Sequence, residues 1–173
     1  MACAWLNLKE CCLVASKLFN ADSGEVVQRA GQLIITVLTG TRHKGALEAA
    51  AAALSDFCSK LLTNVTHESL PETWLSNILE EMDSSNMAAS VTRRSAGLPM
   101  LIRAIVSAEG RGKSGGRHLL KQAVGGLLQI LHRAGSGHQA LSETQTQDVA
   151  PSHALHCLKY VIFTTICNLY IIY

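Results

Sequence analysis

Charged and aromatic residues are scarce in this sequence of 173 residues, at 16% and 5%, whereas 48% of its residues are hydrophobic. A typical soluble domain carries about 25% charged residues. The high hydrophobic content, with a formal net charge of only +2, excludes intrinsic disorder. The 13 glycines, 3 prolines and 6 cysteines have neither the period of collagen nor the density of a disulfide scaffold. The excess of apolar residues therefore predicts an apolar surface, which a membrane, a partner or a missing neighbouring part of the chain would bury.

Signals for secretion and for membrane insertion are also missing. The N-terminus has no basic segment followed by a long apolar one, as a secretory signal would have. The longest uncharged apolar run, residues 160–173, has 14 residues, whereas a membrane span needs about 20. We therefore expect a cytoplasmic protein without a membrane partner, rather than a tail-anchored one. The cysteines form no Cys-x-x-Cys pair, and we expect most of them to be buried free thiols.

Apolar residues recur at the three- and four-residue spacing of amphipathic helices, and no segment has a convincing strand pattern. The helical stripes begin near Ala4, Val26, Leu47, Trp74, Leu98 and Leu120, and a last apolar segment follows. Two helices in each 40 to 47 residues or so is the rhythm of HEAT and armadillo repeats. The sequence therefore predicts an all-α, HEAT/armadillo-like α-solenoid fragment of about six to seven helices. A globular helical bundle is the alternative.

Charge is distributed unevenly along the chain. Residues 1–92 carry a balance of −4, residues 93–133 a balance of +7, and residues 134–173 a balance of −1. The basic block comprises Arg93, Arg94, Arg103, Arg111, Lys113, Arg117, Lys121 and Arg133, against Glu109 alone. Such a block suits a surface that faces RNA phosphates, although a solvated helix face would look the same. No aromatic residue interleaves it, which argues against base stacking on single strands.

The segment of residues 92–99, Thr-Arg-Arg-Ser-Ala-Gly-Leu-Pro, stands out within this block. If the helix of Leu98 extends backwards, Arg94 shares its apolar stripe and needs an anionic partner. The three small residues 95–97 allow another group to approach the backbone closely. Pro99 would start or kink the helix. The chemistry alone favours an arginine–carboxylate clamp, with Glu80 or Glu81, over an arginine pair presented to a phosphate or a partner protein.

The same segment resembles the signature of the thyroid adenoma-associated protein family, whose large HEAT/armadillo-like members partner a tRNA ribose methyltransferase. Four further segments resemble the family in the right order, namely residues 4–10, 42–48, 70–75 and 153–155, with Ala4 where a cysteine is usual. The resemblance covers about residues 2–157 and implies a piece from the middle of a longer protein. It implies a helical-repeat segment at 1–157, followed by a divergent apolar tail at 158–173.

This resemblance implies a non-catalytic adaptor that binds the catalytic methyltransferase subunit and tRNA, and directs 2′-O-methylation to position 32 of the anticodon loop. The residues that match the functional motif are Arg93, Arg94, Ser95, Ala96, Gly97, Leu98 and Pro99. Secondary contacts are expected from Arg42, His43, Lys44, Arg103, Arg111, Lys113 and Arg117. No cofactor, metal or small-molecule substrate is implied. The alternative is a helical-repeat interaction scaffold without direct RNA contact.

The residue spacing argues against two apparent motifs, a phosphate-binding loop and a metal site. Residues 112–114 look like the end of a phosphate-binding loop, but Ser107 stands where the first glycine is required and no strand precedes it. His153, His156 and Cys157 could ligate a metal from one helical turn. Because no fourth ligand lies nearby, an ordinary packed helix is the better interpretation. We therefore predict no catalytic residue and no metal site.

Overall fold

The computed structural model describes residues 4–83, 97–109, 117–136 and 149–170. Within these ranges the chain forms seven α-helices, a short 3-10 helix and no strand. The α-helices are α1 (Ala4–Ala15), α2 (Gly24–Gly40), α3 (Lys44–Leu61), α4 (Leu70–Asp83), α5 (Gly97–Ala108), α6 (His118–Ser136) and α7 (Val149–Tyr170), and the 3-10 helix is Leu18–Asn20. The predicted all-α fold is confirmed.

The odd-numbered helices lie side by side, with α1 against α3, α3 against α5 and α5 against α7. Helices α1 and α3 run parallel, because Trp5 meets Gly45 at their beginnings and the Lys60 ammonium lies 5.0 Å from the centre of the Phe19 ring near their ends. The equivalent contacts between α3 and α5 are Leu47 with Gly97 and the 3.3 Å hydrogen bond between the hydroxyls of Ser55 and Ser107. The first three odd-numbered helices thus share one direction.

The even-numbered helices form a second set, in which α4 and α6 run parallel. Trp74 of α4 packs on Gly31 of α2. Between α4 and α6, the contacts in chain order are Glu72 with His118, Ser76 with Gln122 at 2.8 Å, and Asp83 with Arg133. Helices α1, α3, α4 and α5 therefore each pack on the helix two places further along the chain, as stacked helix pairs would, whereas α2 meets α4 through Trp74. The specific classification as a HEAT/armadillo solenoid stays a prediction.

The core is continuous across both sets of helices and contains a buried aromatic pair. Phe57 of α3 is fully buried, and its ring stacks on Trp74 with 6.1 Å between ring centres. Trp74 approaches the α2 backbone so closely that a Cβ atom on Gly31 would overlap its indole ring. The glycine at this position therefore sets the spacing between α2 and α4.

Exposed large apolar side chains concentrate on the first and last helices that the structure describes. Six of the eleven lie between Leu6 and Leu33, and three more lie on α7. The six are Leu6, Leu13, Val14, Leu18, Val26 and Leu33, and the three are Leu155, Ile162 and Phe163. The middle helices bury their apolar stripes against neighbours, so much of the apolar excess of the sequence is accounted for by these outer faces.

The last helix crosses the boundary predicted between the repeat segment and the apolar tail. Helix α7 is continuous from Val149 to Tyr170, and Val161, beyond that boundary, is buried in the common core. The division at residue 157 stays a prediction. No helix in the described part of the chain is long and apolar enough to cross a membrane.

Replacing Gly31 by alanine should destabilise the protein. The new methyl group would overlap the buried indole of Trp74, and forced overpacking of this kind costs about 1–3 kcal/mol. Urea denaturation followed by circular dichroism measures this cost. Gly125→Ala is the matched control, because Gly125 is also helical but has no neighbour within 4 Å of its Cβ position. The control should gain about 0.5–1 kcal/mol from helix propensity, and an equal loss in both variants would contradict the packing argument.

Candidate functional site

Segments from four helices meet at one end of the fold. Helices α1, α3 and α5 begin there and α2 ends there, as the contacts of Gly45 with Trp5 and of Gly97 with Leu38 and Leu47 show. Three of the five segments that resemble the thyroid adenoma-associated protein family contribute described residues to this convergence: residues 4–10, residues 42–48 and, through Gly97, the segment 92–99. We call this set of contacts the convergence site. Folding therefore brings together residues that are up to about ninety positions apart in the sequence.

An aromatic pair forms the first part of the convergence site. The rings of Trp5 and His43 stack with 4.8 Å between their centres and an angle of 16° between their planes. Gly45 lies beside both rings, since its Cβ position is 3.3 Å from Trp5 Cζ3 and 3.3 Å from His43 Cε1. A side chain at position 45 would press on the pair, so the glycine makes room for it.

The imidazole of His43 is also the N-terminal cap of α3. Its Nδ1 accepts a hydrogen bond from the Ala46 N–H at 3.4 Å, and the His43 N–H donates to the Thr41 hydroxyl at 3.3 Å. Because Nδ1 is an acceptor, the neutral ring carries its proton on Nε2. The cap and the stacking together fix the orientation of this exposed ring.

The second part of the convergence site is the contact between α5 and α2. A Cβ atom on Gly97 would overlap the carbonyl oxygen of Leu38, and the same position lies 3.3 Å from Leu47 Cδ2. The close approach predicted for the small residues of this motif is confirmed at Gly97. The approaching group is a backbone carbonyl near the end of α2, which has the partial negative charge that favours the beginning of another helix.

The other described residues of the motif are buried as well. Leu98 is 6% exposed, and Pro99 is buried in the first turn of α5, where its missing N–H costs no helical hydrogen bond. These residues pack and do not form an outer surface. Arg93, Arg94, Ser95 and Ala96 lie outside the described residues, as do Arg111 and Lys113, so their predicted contacts and the predicted carboxylate clamp stay predictions.

The predicted secondary contacts at the convergence site are exposed. Arg42 and Lys44 flank His43 in the sequence, and both side chains face solvent. The Lys44 ammonium lies 3.7 Å from the Glu48 carboxylate one turn further along α3, an exposed pair that holds it only weakly. Two cations and a fixed aromatic ring therefore share this surface.

The basic block does not form one patch in the described part of the chain. Arg103 lies over the ring of Tyr160 on α7, 5.7 Å from its centre, and Arg133 pairs with Asp83. Arg117 is exposed just before α6, whose beginning is hydrogen-bonded to Glu109 at the end of α5 that lies opposite to Gly97. Since α5 has 12 residues, the two ends are about 18 Å apart. Arg117 and Gly97 are only 20 positions apart in the sequence, which gave no indication that they lie at opposite ends of α5.

Glu109, the acid within the basic block, stabilises the beginning of α6. Its carboxylate accepts hydrogen bonds from the Leu119 N–H at 3.0 and 3.1 Å and from the Leu120 N–H at 3.4 Å. These are two of the amides that a helix leaves unpaired in its first turn. The negative charge of Glu109 is thus used within the fold.

Cysteine and histidine side chains are dispersed in the described part of the chain, where no group of three metal-ligating side chains comes together. Burial raises the pKa of Cys157 to about 12, and it also raises the pKa of Cys58. Burial and the neighbouring His156 lower the pKa of His153. The prediction that most cysteines are buried free thiols is confirmed for the described residues, where Cys12, Cys58 and Cys157 are buried and Cys11 is exposed.

An open apolar groove of about 500 Å³ lies between α1 and α2, away from the convergence site. Its lining includes Cys11, Val14, Leu18, Val26 and Leu33. None of the predicted contact residues lines it. The groove belongs to the exposed apolar face of the first two helices.

The family described as THADA/TRM732, DUF2428 matches residues 1–166 of the chain. The mouse tRNA (32-2′-O)-methyltransferase regulator THADA is 29% identical over 92% of this chain and 9% of its own length. The human protein of the same name is 30% identical over 75% of this chain and 7% of its own length, and the fission yeast regulator trm732 is 32% identical over 78% and 8%. The chain thus spans less than a tenth of the length of these curated relatives. No solved structure matches it.

Gly97→Ala should be more damaging than most single-methyl changes, because the methyl group would overlap a backbone carbonyl that no rotamer change can move. We expect a loss of about 3 kcal/mol or more in the free energy of unfolding. Gly40→Ala is the control at the same end of α2, since nothing lies within 4 Å of its Cβ position. It should change stability by about 0.5 kcal/mol or less. Native-like stability of the Gly97 variant would show that α5 does not depend on this contact.

Cys11 and Cys12, which are adjacent in the sequence, should differ in their reactivity towards an alkylating reagent. Cys11 is exposed, whereas desolvation, with a smaller contribution from Cys11, raises the pKa of the buried Cys12. Among the cysteines whose side chains the structure describes, iodoacetamide should therefore modify Cys11 first in the native protein, and Cys11→Ser should remove this modification. Peptide mass spectrometry checks the site, and denaturant should make both thiols reactive. Rapid modification of Cys58 in the native protein would contradict the packing of α3.

Proposed function

The chain belongs to the THADA/TRM732 family, and on this basis we propose that it is part of a non-catalytic regulatory subunit of a tRNA methyltransferase. In this proposal, the longer protein helps a catalytic partner to methylate the 2′-hydroxyl of nucleotide 32 in the tRNA anticodon loop. The mouse, human and fission yeast relatives are all named as regulators of such an enzyme, which supports the proposal. We place the protein in the cytoplasm as part of the same proposal.

The convergence site supports the assignment of this function to particular residues. Trp5 and the segment of residues 42–48 meet there, and Gly97 anchors the beginning of α5 next to them. Segments that resemble a family signature and also meet in space are more informative than the same segments scattered over the fold. We therefore propose that this end of the fold is the functional surface of the segment.

Within this proposal, arginine and lysine side chains bind the phosphates of tRNA. Arg93 and Arg94 precede Gly97 in the sequence, and Arg42 and Lys44 are exposed at the same end of the fold. Arginine suits such a site because its planar guanidinium can donate two hydrogen bonds to one phosphate. Phosphate contacts position an RNA without reading its sequence. Positioning is the task that a regulator without its own chemistry would perform.

A second candidate function, a protein-interaction scaffold without direct RNA contact, is supported by a different observation. The described motif residues Gly97, Leu98 and Pro99 are all buried, as expected of residues that hold a fold together. Arg103 and Arg133 also engage Tyr160 and Asp83 within the chain. In this alternative, Arg93 and Arg94 are clamps between helices, and the methyltransferase binds elsewhere on the surface.

The double variant Arg93→Ala, Arg94→Ala, made in the full-length protein, separates the two functions. If the arginines contact tRNA, methylation at position 32 should fall at least tenfold while the melting temperature and the affinity for the methyltransferase stay unchanged. The slope of tRNA affinity against salt concentration should also decrease by about 2, one for each lost phosphate contact. Loss of thermal stability would instead support the clamp.

Arg29→Ala is the matched control for this experiment. Arg29 is an exposed arginine of α2 whose carboxylate partner, Glu25, lies one turn away on the same helix at 3.2 Å. Its removal should cost about 0.5 kcal/mol or less and leave methylation and the salt slope unchanged. An equal loss of tRNA affinity in the control would mean that total positive charge matters and not the arginine pair.

A further inference from the structure

We propose that the stacked rings of Trp5 and His43 form a platform on which one unpaired nucleobase of an RNA loop stacks. The sequence places no aromatic residue within the basic block, which argues against base stacking there. The fold supplies the missing aromatic surface from elsewhere, because Trp5 and His43 are 38 positions apart but lie at the convergence site. This proposal rests on the proposed function, since it assumes that the convergence site faces tRNA.

The geometry of the pair is that of a stacking platform and not of a core contact. The rings are within 16° of parallel and 4.8 Å apart, and Trp5 is only half-buried beneath an exposed His43. The other stacked pair, Phe57 with Trp74, has a fully buried phenylalanine and a tryptophan that is 4% exposed. The platform is thus an aromatic pair whose outer member faces solvent.

The platform is fixed before any ligand arrives. His43 is held on one side by Trp5 and at Nδ1 by the Ala46 N–H, so little rotamer freedom is left to lose on binding. The Nε2–H of the neutral ring is then a donor without a hydrogen-bond partner among the described residues, suited to a phosphate or ribose oxygen. A fixed ring with one outward donor is a stronger base for stacking than a mobile side chain.

The charges around the platform favour a nucleic acid over an aromatic side chain of a protein. Arg42 and Lys44 stand on either side of His43 in the sequence, and both are exposed. Cations at this spacing can bind the phosphates on either side of a stacked nucleotide. Aromatic stacking accepts any base, so the platform should tolerate sequence changes in the loop. The structure therefore assigns one unpaired nucleotide of an RNA loop, of any base identity, to this place.

Two substitutions at His43 separate stacking from capping. His43→Asn removes the ring but keeps a side chain that caps helices well, whereas His43→Phe keeps a ring but removes the capping acceptor. We expect the asparagine variant to bind an anticodon stem–loop RNA about 5- to 100-fold more weakly than the native protein, and the phenylalanine variant to bind within about threefold of it. The variants are made in the full-length protein, and helical content and melting temperature are measured for both.

The nucleotide is then located with stem–loop RNAs that carry one abasic residue at each loop position in turn. One abasic RNA should weaken binding to the native protein and to the phenylalanine variant but not weaken binding to the asparagine variant any further. Equal RNA affinity of the native protein and the asparagine variant would overturn the platform. A loss in the phenylalanine variant alone would also overturn it, because His43 would then act through the helix cap. A loss in both variants would overturn it as well, because a ring at position 43 would then not be sufficient for binding.

The controls distinguish failure of the platform from failure of the proposed function. If the native full-length protein does not stimulate methylation of position 32, the proposed function itself fails. If stimulation is intact and unaffected by His43→Asn, only the platform fails. If the asparagine variant loses affinity for the methyltransferase but not for the RNA, the aromatic pair faces a protein and the platform is overturned.

Discussion

The contact between Gly97 and the carbonyl of Leu38 is the constraint on which the rest of the convergence site depends. It brings the beginning of α5 against the end of α2 at a distance that leaves no room for a side chain at position 97. The loop after α2 leads directly into the His43 cap, so the position of α2 also determines where the Trp5–His43 pair stands. A buried glycine and a backbone carbonyl thus support an exposed surface that neither of them forms.

The all-α fold and the order of the helices could be predicted from the sequence, because amphipathic spacing is a local property that each segment carries by itself. The neighbours of each helix could not, since packing depends on contacts between distant positions. Gly97 could be predicted to allow a close approach, but nothing in the sequence indicated that Leu38 would approach it. The Trp5–His43 pair was missed because the two residues lie in different segments. The one signal for it was that both segments resembled the same family.

The net charge of the basic block, residues 93–133, does not predict where its cations lie in the fold. Its balance of +7 suggested one phosphate-facing surface, but Arg103, Arg117 and Arg133 lie in different places and partly engage residues of the chain itself. Glu109, which appeared as the only opposing charge, serves a helix terminus. Position in the fold, and not net charge along the sequence, therefore distinguishes cations that are available to RNA from those that stabilise packing. At the convergence site Arg42 and Lys44 are exposed to solvent.

The packing of helices that are distant in the sequence has a consequence for the order in which the chain assembles on the ribosome. His43 follows Trp5 by 38 positions, and Gly97 follows Leu38 by 59, so the convergence site is completed in two stages as synthesis proceeds. The aromatic pair can form once α3 has left the exit tunnel, whereas the end of α2 waits until α5 emerges. Domains fold as they are synthesised, at about 5–20 residues per second, so this interval is several seconds long. During that interval the nascent chain carries the finished aromatic pair beside an uncovered end of α2.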